Sequence, residues 1–146
     1  MLKLKIISFC FVLLMVSCSC QDSNEKVNHQ IVFSDLVHLE KLTSVEMRNN
    51  SGTFNLTDAQ IKKLKTELNQ MIYAPHMSAK VGAIQIKLKI NNQDFYISTA
   101  THGKYMEIPR DLVNQNQDLV DQAKWLYFKT NEINFDNYKE LNKIHN

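Results

Sequence analysis

The most regular part of the chain lies between residues 82 and 99 and reads GAIQIKLKINNQDFYIST. Apolar and polar residues alternate strictly from Ile84 to Ile90, and the alternation resumes after Asn91-Asn92. Because successive side chains of a strand point to opposite faces of a sheet, this pattern predicts two strands with one buried face. Asn91-Asn92 is typical of a tight turn, so we expect the two strands to form a β-hairpin.

The apolar face also predicts the register of this hairpin. A two-residue loop pairs Leu88 with Phe95 and Ile86 with Ile97, which keeps apolar residues opposite one another. A loop of odd length, without a bulge, would turn Phe95 toward the lysine face. A second short connection then brings a third strand alongside, with Ile97 meeting Met106 in an antiparallel meander.

This register places polar residues in two rows on the outer face of the sheet. The first row contains Lys87, Tyr96 and Glu107, and the second contains Gln85, Ser98 and Tyr105. Tyrosines surrounded by charged residues are enriched at protein interfaces, so we expect a binding face here. The alternatives are that these side chains only stabilise the sheet across strands, or that the C-terminal segment covers them.

A second hairpin is predicted before the meander. Residues 43–47 and 53–56 are β-prone, and they flank the turn sequence Asn49-Asn50-Ser51-Gly52. The preceding residues 31–42 fit neither period well, and they predict either a strand or one helical turn begun at Ser34.

The clearest helix signal begins at Thr57, which forms a capping box with Gln60. Pro75 disfavours helical geometry just before it, so we expect the helix to end by Tyr73 or Ala74. The apolar residues that follow the cap fall on one helical face: Ile61, Leu64, Leu68, Met71 and Ile72.

Helical spacing returns in the C-terminal third. From Asp111 onward the spaced apolar residues are Leu112, Leu119, Ala123 and Leu126, and a short terminal helix is suggested by Phe135, Tyr138, Leu141 and Ile144. The aromatic residues Trp125, Tyr127 and Phe128 are expected in the core. We therefore expect one α+β domain over residues 31–146, with an antiparallel sheet of about five strands and two or three helices packed on it, in the order ββαβββαα.

The first 17 residues have the pattern of an export signal. Lys3 and Lys5 precede an apolar stretch over residues 6–16, which is too short to cross a hydrocarbon core of about 30 Å. Residues 14–18, Leu-Met-Val-Ser-Cys, resemble the lipobox of bacterial lipoproteins, with Met15 where leucine is usual. The resemblance implies a signal peptide over residues 1–17 and a lipid on Cys18, with Cys20 as the alternative position.

Such a lipid would anchor the domain to a membrane, because two or more acyl chains hold a protein stably whereas one holds it only marginally. Residues 18–30 are polar and aperiodic, and we predict that they form a tether. An ordinary cleaved signal peptide and a retained membrane anchor are the alternatives. The sequence leaves open whether the domain faces the periplasm or the cell surface.

Charge and motifs limit the function classes. The 17 basic and 15 acidic residues give a net charge of +2, and the export segment contains two of the lysines, so the mature chain is neutral. A neutral chain lacks the basic excess of a general nucleic-acid binder. The sequence contains no phosphate-binding loop, nucleophile elbow or paired metal-binding histidines, and no thiol follows Cys20.

Isolated histidines and acidic residues offer weak chemical signals. His76-Met77, with Met71 nearby, suggests a soft copper site, although a loop histidine beside core methionines is the simpler interpretation. His102 lies in a predicted loop without a marked partner. Three acidic residues suit a solvated helix face better than a catalytic carboxylate pair: Asp111, Asp118 and Asp121.

These observations favour a lipid-anchored bacterial envelope protein that binds a partner protein or a cell-envelope component. They assign it no catalytic residue, cofactor or metal. The alternatives are an envelope hydrolase that uses His102 and a small-molecule or metal sensor.

Overall fold

A seven-stranded antiparallel sheet forms the centre of the protein, in a computed structural model that describes residues 30–131, 133–135 and 138. The predicted signal peptide, the tether up to residue 29 and most of the predicted terminal helix lie outside the described residues. The elements are α1 (Phe33–Leu36), β1 (Leu42–Asn49), β2 (Gly52–Asn55), α2 (Asp58–Asn69), β3 (Ile72–Tyr73), β4 (Val81–Ile90), β5 (Gln93–Ala100), β6 (Tyr105–Pro109) and β7 (Trp125–Lys129). The strand order is β2-β1-β4-β5-β6-β7-β3.

This architecture corrects the expected fold class. Instead of about five strands carrying two or three helices in the order ββαβββαα, the described residues contain seven strands and two α-helices. One of those helices, α1, has only four residues. The fold is therefore dominated by its sheet, and the two strands that the sequence did not predict are β3 and β7.

The prediction of a helix from Asp111 onward is wrong. The segment instead forms two short 3₁₀ helices, at Arg110–Leu112 and Gln117–Leu119, followed by β7. Asn116 takes the left-handed conformation with φ of 46°, which interrupts any continuous helix. Within β7 the burial alternates, with Leu126 buried and Trp125 exposed, so the segment follows the two-residue period of a strand. The aromatic content of β7 suits a strand as well.

Helix α2 ends at Asn69, and the residues after it form β3. The Tyr73 backbone N–H donates to the Ile31 carbonyl at 2.9 Å, and the Ala74 N–H donates to the Tyr127 carbonyl at 2.8 Å. These acceptors lie far away in sequence. Tertiary hydrogen bonds therefore remove residues 72–73 from the helix that the local pattern would continue.

Both predicted hairpins are confirmed. In the first, Met47 lies opposite Phe54, and Gly52 supplies a positive φ of 137° after the turn. In the second, Leu88 lies opposite Phe95 and Ile86 lies opposite Ile97, as the apolar face predicts. The ambiguous segment before β1 contains one helical turn, α1, which begins one residue before Ser34.

The predicted pairing of β5 with β6 is wrong by two residues. Met106 lies opposite Thr99 and not Ile97, and Tyr105 lies opposite Ala100. The connection has the expected four residues but lies one position later, at residues 101–104, where Thr101 and His102 both take positive φ values, 48° and 56°. A shift of two residues keeps every side chain on its predicted face, so the apolar pattern does not detect it.

The core lies between the inner face of the sheet and α2. The helix contributes Leu64 and Leu68, both fully buried, to the same apolar cluster as Ile86, Leu88 and Ile97. Full burial of one such side chain contributes roughly 1.5–3 kcal/mol. This cluster holds the sheet and the helix together and leaves the other face of the sheet for polar residues.

Tyr138 packs against α2. Its side chain is 1% exposed, its hydroxyl donates to the Glu67 carboxylate, and its carbonyl accepts from Gln60 Nε2 at 3.3 Å. Burial, and then the hydrogen bond to Glu67, raises the pKa of the Tyr138 phenol far above its ordinary value. Gln60 therefore links the helix cap to Tyr138, since its Oε1 also accepts from the Thr57 backbone N–H at 2.9 Å.

The capping box gives a stability prediction. Thr57→Ala removes the acceptor of the Gln60 backbone N–H, and we expect it to lower the free energy of unfolding by about 1 kcal/mol. Urea denaturation followed by circular dichroism measures this change. Thr66→Ala on the exposed side of α2 is the matched control, and we expect it to be neutral or slightly stabilising because alanine favours helices. Equal losses in the two variants would contradict a capping role.

Candidate functional site

The residues assigned to a binding face lie together on the outer face of the sheet. Strand alternation places them opposite the buried apolar residues: Lys87, Tyr96, Ser98, Tyr105 and Glu107. Their arrangement differs from the predicted rows because of the two-residue shift between β5 and β6. Lys87 lies opposite Tyr96 as expected, but Glu107 lies opposite Ser98, and Tyr105 lies opposite Ala100 and Lys129.

The half of the outer face over β6 and β7 is covered around Glu107 and Tyr127, whereas Trp125 and Lys129 at the two ends of β7 are exposed. Glu107 is only 9% exposed, and its Oε2 accepts a hydrogen bond from the Tyr127 hydroxyl at 2.7 Å. A backbone hydrogen bond from Ala79 reaches the same Tyr127 hydroxyl, so the connection between β3 and β4 crosses this half of the face. Burial and the contact with Glu107 raise the pKa of Tyr127. Glu107 therefore stabilises the sheet through a cross-strand contact with Tyr127 and is not part of an open binding face.

The other half of the outer face, over β1, β4 and β5, is open. Tyr96 is 47% exposed, and the Lys87 ammonium lies 5.9 Å from the centre of its ring. Lys87 Nζ also lies 2.9 Å from Asp94 Oδ2, and this hydrogen bond is the main reason why the pKa of Lys87 is raised. Glu46 lies opposite Lys87 on β1. We call Glu46, Lys87, Asp94 and Tyr96 the Tyr96 patch.

A polar cluster joins the start of the β3–β4 connection to the segment before β7. The His76 backbone N–H donates to Asp121 Oδ2 at 2.9 Å, and His76 Nδ1 lies 3.4 Å from the same oxygen. The Asp121 backbone N–H donates to the Tyr73 hydroxyl at 2.9 Å, and the Arg110 guanidinium donates to the Asp121 carbonyl. We call Tyr73, His76, Arg110 and Asp121 the His76 cluster.

The His76 cluster corrects two expectations. Asp121 does not lie on a solvated helix face, because its segment is not helical and its carboxylate is engaged by His76. Met71, proposed with His76-Met77 as a soft copper site, is fully buried in the apolar core. Among residues 30–131, 133–135 and 138, no group of three or more His, Cys, Asp or Glu side chains is placed to hold a metal ion.

Two depressions flank the His76 cluster. One, of about 390 Å³, is also lined by Met77 and Trp125. The other, of about 680 Å³, is also lined by Gln30 and Leu119. The three residues they share are Tyr73, His76 and Asp121.

His102 lies elsewhere, at the rim of the largest cavity. That cavity has a volume of about 840 Å³ and is lined by polar residues such as Lys80 and Thr101 and by apolar residues such as Ile84 and Phe135. Within the part of the chain that the structure describes, no carboxylate forms an ion pair or a hydrogen bond with the His102 ring. Among these residues, His102 therefore has no carboxylate that would orient its ring as a general base.

Sequence reasoning missed the contact between His76 and Asp121 and the exposure of Trp125. The first joins residues 45 positions apart, and no local pattern marks such a pair. The second had a usable signal, since the sequence Trp-Leu-Tyr-Phe-Lys alternates in the manner of a strand with one buried face.

Comparisons with known proteins found no family model, no curated protein and no solved structure that matches this chain. None of the described helices is long and apolar enough to span a membrane.

The His76 cluster predicts a pH dependence. The His76 backbone N–H, followed by Tyr73, the His76 charge and Arg110, lowers the pKa of Asp121 against the opposing effect of burial. Because the Asp121 carboxyl has a lower pKa in the folded protein than in the unfolded chain, its ionised form stabilises the fold. This stabilisation is complete above the unfolded pKa of about 3.9, and it disappears as the pH falls through the folded pKa. Asp121→Asn should therefore destabilise the protein near neutral pH and have a shrinking effect below pH of about 4.

Urea denaturation of both proteins across this pH range measures the effect. Asp118→Asn is the matched control, because the Asp118 carboxylate forms no hydrogen bond or ion pair with the described residues. A stability difference between Asp121→Asn and the natural protein that stays constant with pH would contradict the role given to the carboxylate.

Proposed function

We propose that the protein is held to a bacterial envelope membrane by a lipid on Cys18 and binds a partner protein through the Tyr96 patch. The observation that carries the binding proposal is the exposure of Tyr96 beside the Lys87–Asp94 ion pair, on a sheet whose opposite face carries the apolar core. The anchor proposal is carried by the lipobox-like residues 14–18 and the basic and apolar segment before them.

The composition of the Tyr96 patch suits recognition of another protein. A tyrosine presents a large apolar ring and one polar hydroxyl, and buried tyrosines often dominate the binding energy of an interface. Lys87 and Asp94 already neutralise each other, so a partner that covers them does not leave a lone charge without solvent. The patch also stands on the paired strands β1, β4 and β5, which hold it in a fixed geometry.

The described residues support binding in preference to hydrolysis. His102 has no carboxylate partner among them, and His76 has a carboxylate partner but its side chain is almost fully exposed to solvent. Neither histidine has a hydrogen-bonded serine or threonine hydroxyl in the described part of the chain. A nucleophile, a base and an orienting group would have to meet at one place for acyl transfer.

The anchor is tested by removing the proposed acceptor sulfur. We expect the natural protein to carry an acylated N-terminal Cys18 in mass spectra and to float with membranes. Cys18→Ser should lose both properties, whereas Cys20→Ser, the matched control, should keep them. Loss of acylation in Cys20→Ser alone would move the lipid to Cys20, and unchanged flotation of both variants without any acyl mass would refute the anchor.

The binding patch is tested by site-specific crosslinking in cells. A photoreactive phenylalanine analogue at Tyr96 should yield a discrete adduct with one protein, whereas the same group at Lys62, exposed on α2, should not. Tyr96→Ala should then weaken binding of the identified partner about 30-fold, the effect of losing roughly 2 kcal/mol at an interface centre. The same adducts from both positions, or unchanged affinity of Tyr96→Ala, would contradict the patch.

A further inference from the structure

Two exposed apolar side chains line the two depressions that meet at the His76 cluster, and one of these depressions also contains the first described residue. Leu119 is 49% exposed and Trp125 is 38% exposed, although most large apolar residues in the described part of the chain are buried. Leu119 lines the same depression as Gln30, the first described residue. Trp125 lines the depression on the other side of the His76 cluster. We call Gln30, Leu119, Lys124 and Trp125 the tether-side surface.

We propose that the tether-side surface lies against the lipid bilayer to which the protein is anchored, with Leu119 and Trp125 in the interfacial region. This inference rests on the proposed lipid anchor and adds an orientation to it. The occupant of the surface is the bilayer itself, because Gln30 belongs to this surface and only twelve peptide links join it to Cys18.

The side chains of the tether-side surface have the chemistry of membrane contacts. Tryptophan is enriched where membranes meet water, since its ring is apolar and its indole N–H is polar. The Lys124 ammonium lies 5.7 Å from the centre of the Trp125 ring. A lysine in this position can lay its apolar stem along the interface and direct its charge toward phosphate groups. Leu119 adds an apolar side chain without a polar atom.

The other charges near this surface are mostly engaged. The Arg110 guanidinium donates to the carbonyls of Asp121 and Gln117, and the Asp121 carboxylate pairs with His76. Asp118, beside Leu119, offsets the charge of Lys124. The surface is therefore close to neutral, and it suits a zwitterionic bilayer better than a strongly anionic one.

The length of the tether makes a weak contact sufficient. The thirteen residues from Cys18 to Gln30 are joined by twelve peptide links and span at most about 43 Å, comparable to the width of a domain of this size. The anchor therefore keeps the tether-side surface close to the bilayer at all times, without forcing one orientation. At such an effective concentration, two partly exposed apolar side chains are enough to bias the domain toward one orientation.

The chain contains a single tryptophan, Trp125, which serves as a probe of this orientation. The natural protein, purified with its lipid, is placed in phosphatidylcholine–phosphatidylethanolamine vesicles with or without lipids brominated near the headgroup. We expect the brominated lipids to quench Trp125 fluorescence. The matched control is the double variant Trp125→Phe/Thr53→Trp, which moves the probe to β2, five strand positions or about 24 Å away.

The two proposals fail in different ways. Quenching of Trp125 that is several-fold stronger than quenching of the Thr53 probe supports the orientation. Equal quenching in the two vesicle-bound proteins would overturn the orientation and leave the anchor intact. A natural protein that does not float with the vesicles would overturn the anchor itself.

A protein partner on the tether-side surface would also overturn the orientation. It would shield Trp125 from aqueous iodide without any quenching by brominated lipid. If the Thr53 variant does not fold, as judged by circular dichroism, Trp125→Phe/Arg48→Trp places the control probe on β1.

Discussion

The burial of one face of β4 and β5 beneath α2 is the constraint on which the rest of the structure depends. Ile86, Leu88 and Ile97 are fully buried, as are Leu64 and Leu68 of the helix. A strand that buries alternate residues must present the others to the opposite side. The polar outer face, with the Tyr96 patch at its centre, is therefore a direct result of the apolar packing on the inner face.

The sequence predicted local features well, because their causes are local. The capping box at Thr57, the turn at Asn91-Asn92 and the pairing of Leu88 with Phe95 follow from neighbouring residues and from the parity of apolar positions. The alternation of faces also explains one error. The observed register of β5 and β6 differs from the predicted one by two residues, and such a shift leaves every side chain on its predicted face. The predicted outer-face residues therefore all lie on that face, whereas their predicted pairing across β5 and β6 is wrong.

The remaining errors come from interactions between distant parts of the chain. The spacing of Leu112, Leu119 and Leu126 suits a helix, but β7 pairs with β6 and β3, and this pairing overrides the local preference. Residues 72–73 leave the helical pattern for the same reason. The contact of His76 with Asp121 depends on a connection crossing the sheet, which no local pattern describes. The His76 cluster was thus less predictable than the two hairpins.

The edges of the sheet have a consequence under the proposed membrane anchor. The terminal strands are β2, with four residues, and β3, with two. Short edge strands offer few free backbone groups to a neighbouring molecule, which limits sheet-to-sheet association. Under the proposed anchor, copies confined to two dimensions would meet far more often than copies in solution, and the shortness of both edge strands would limit pairing between them.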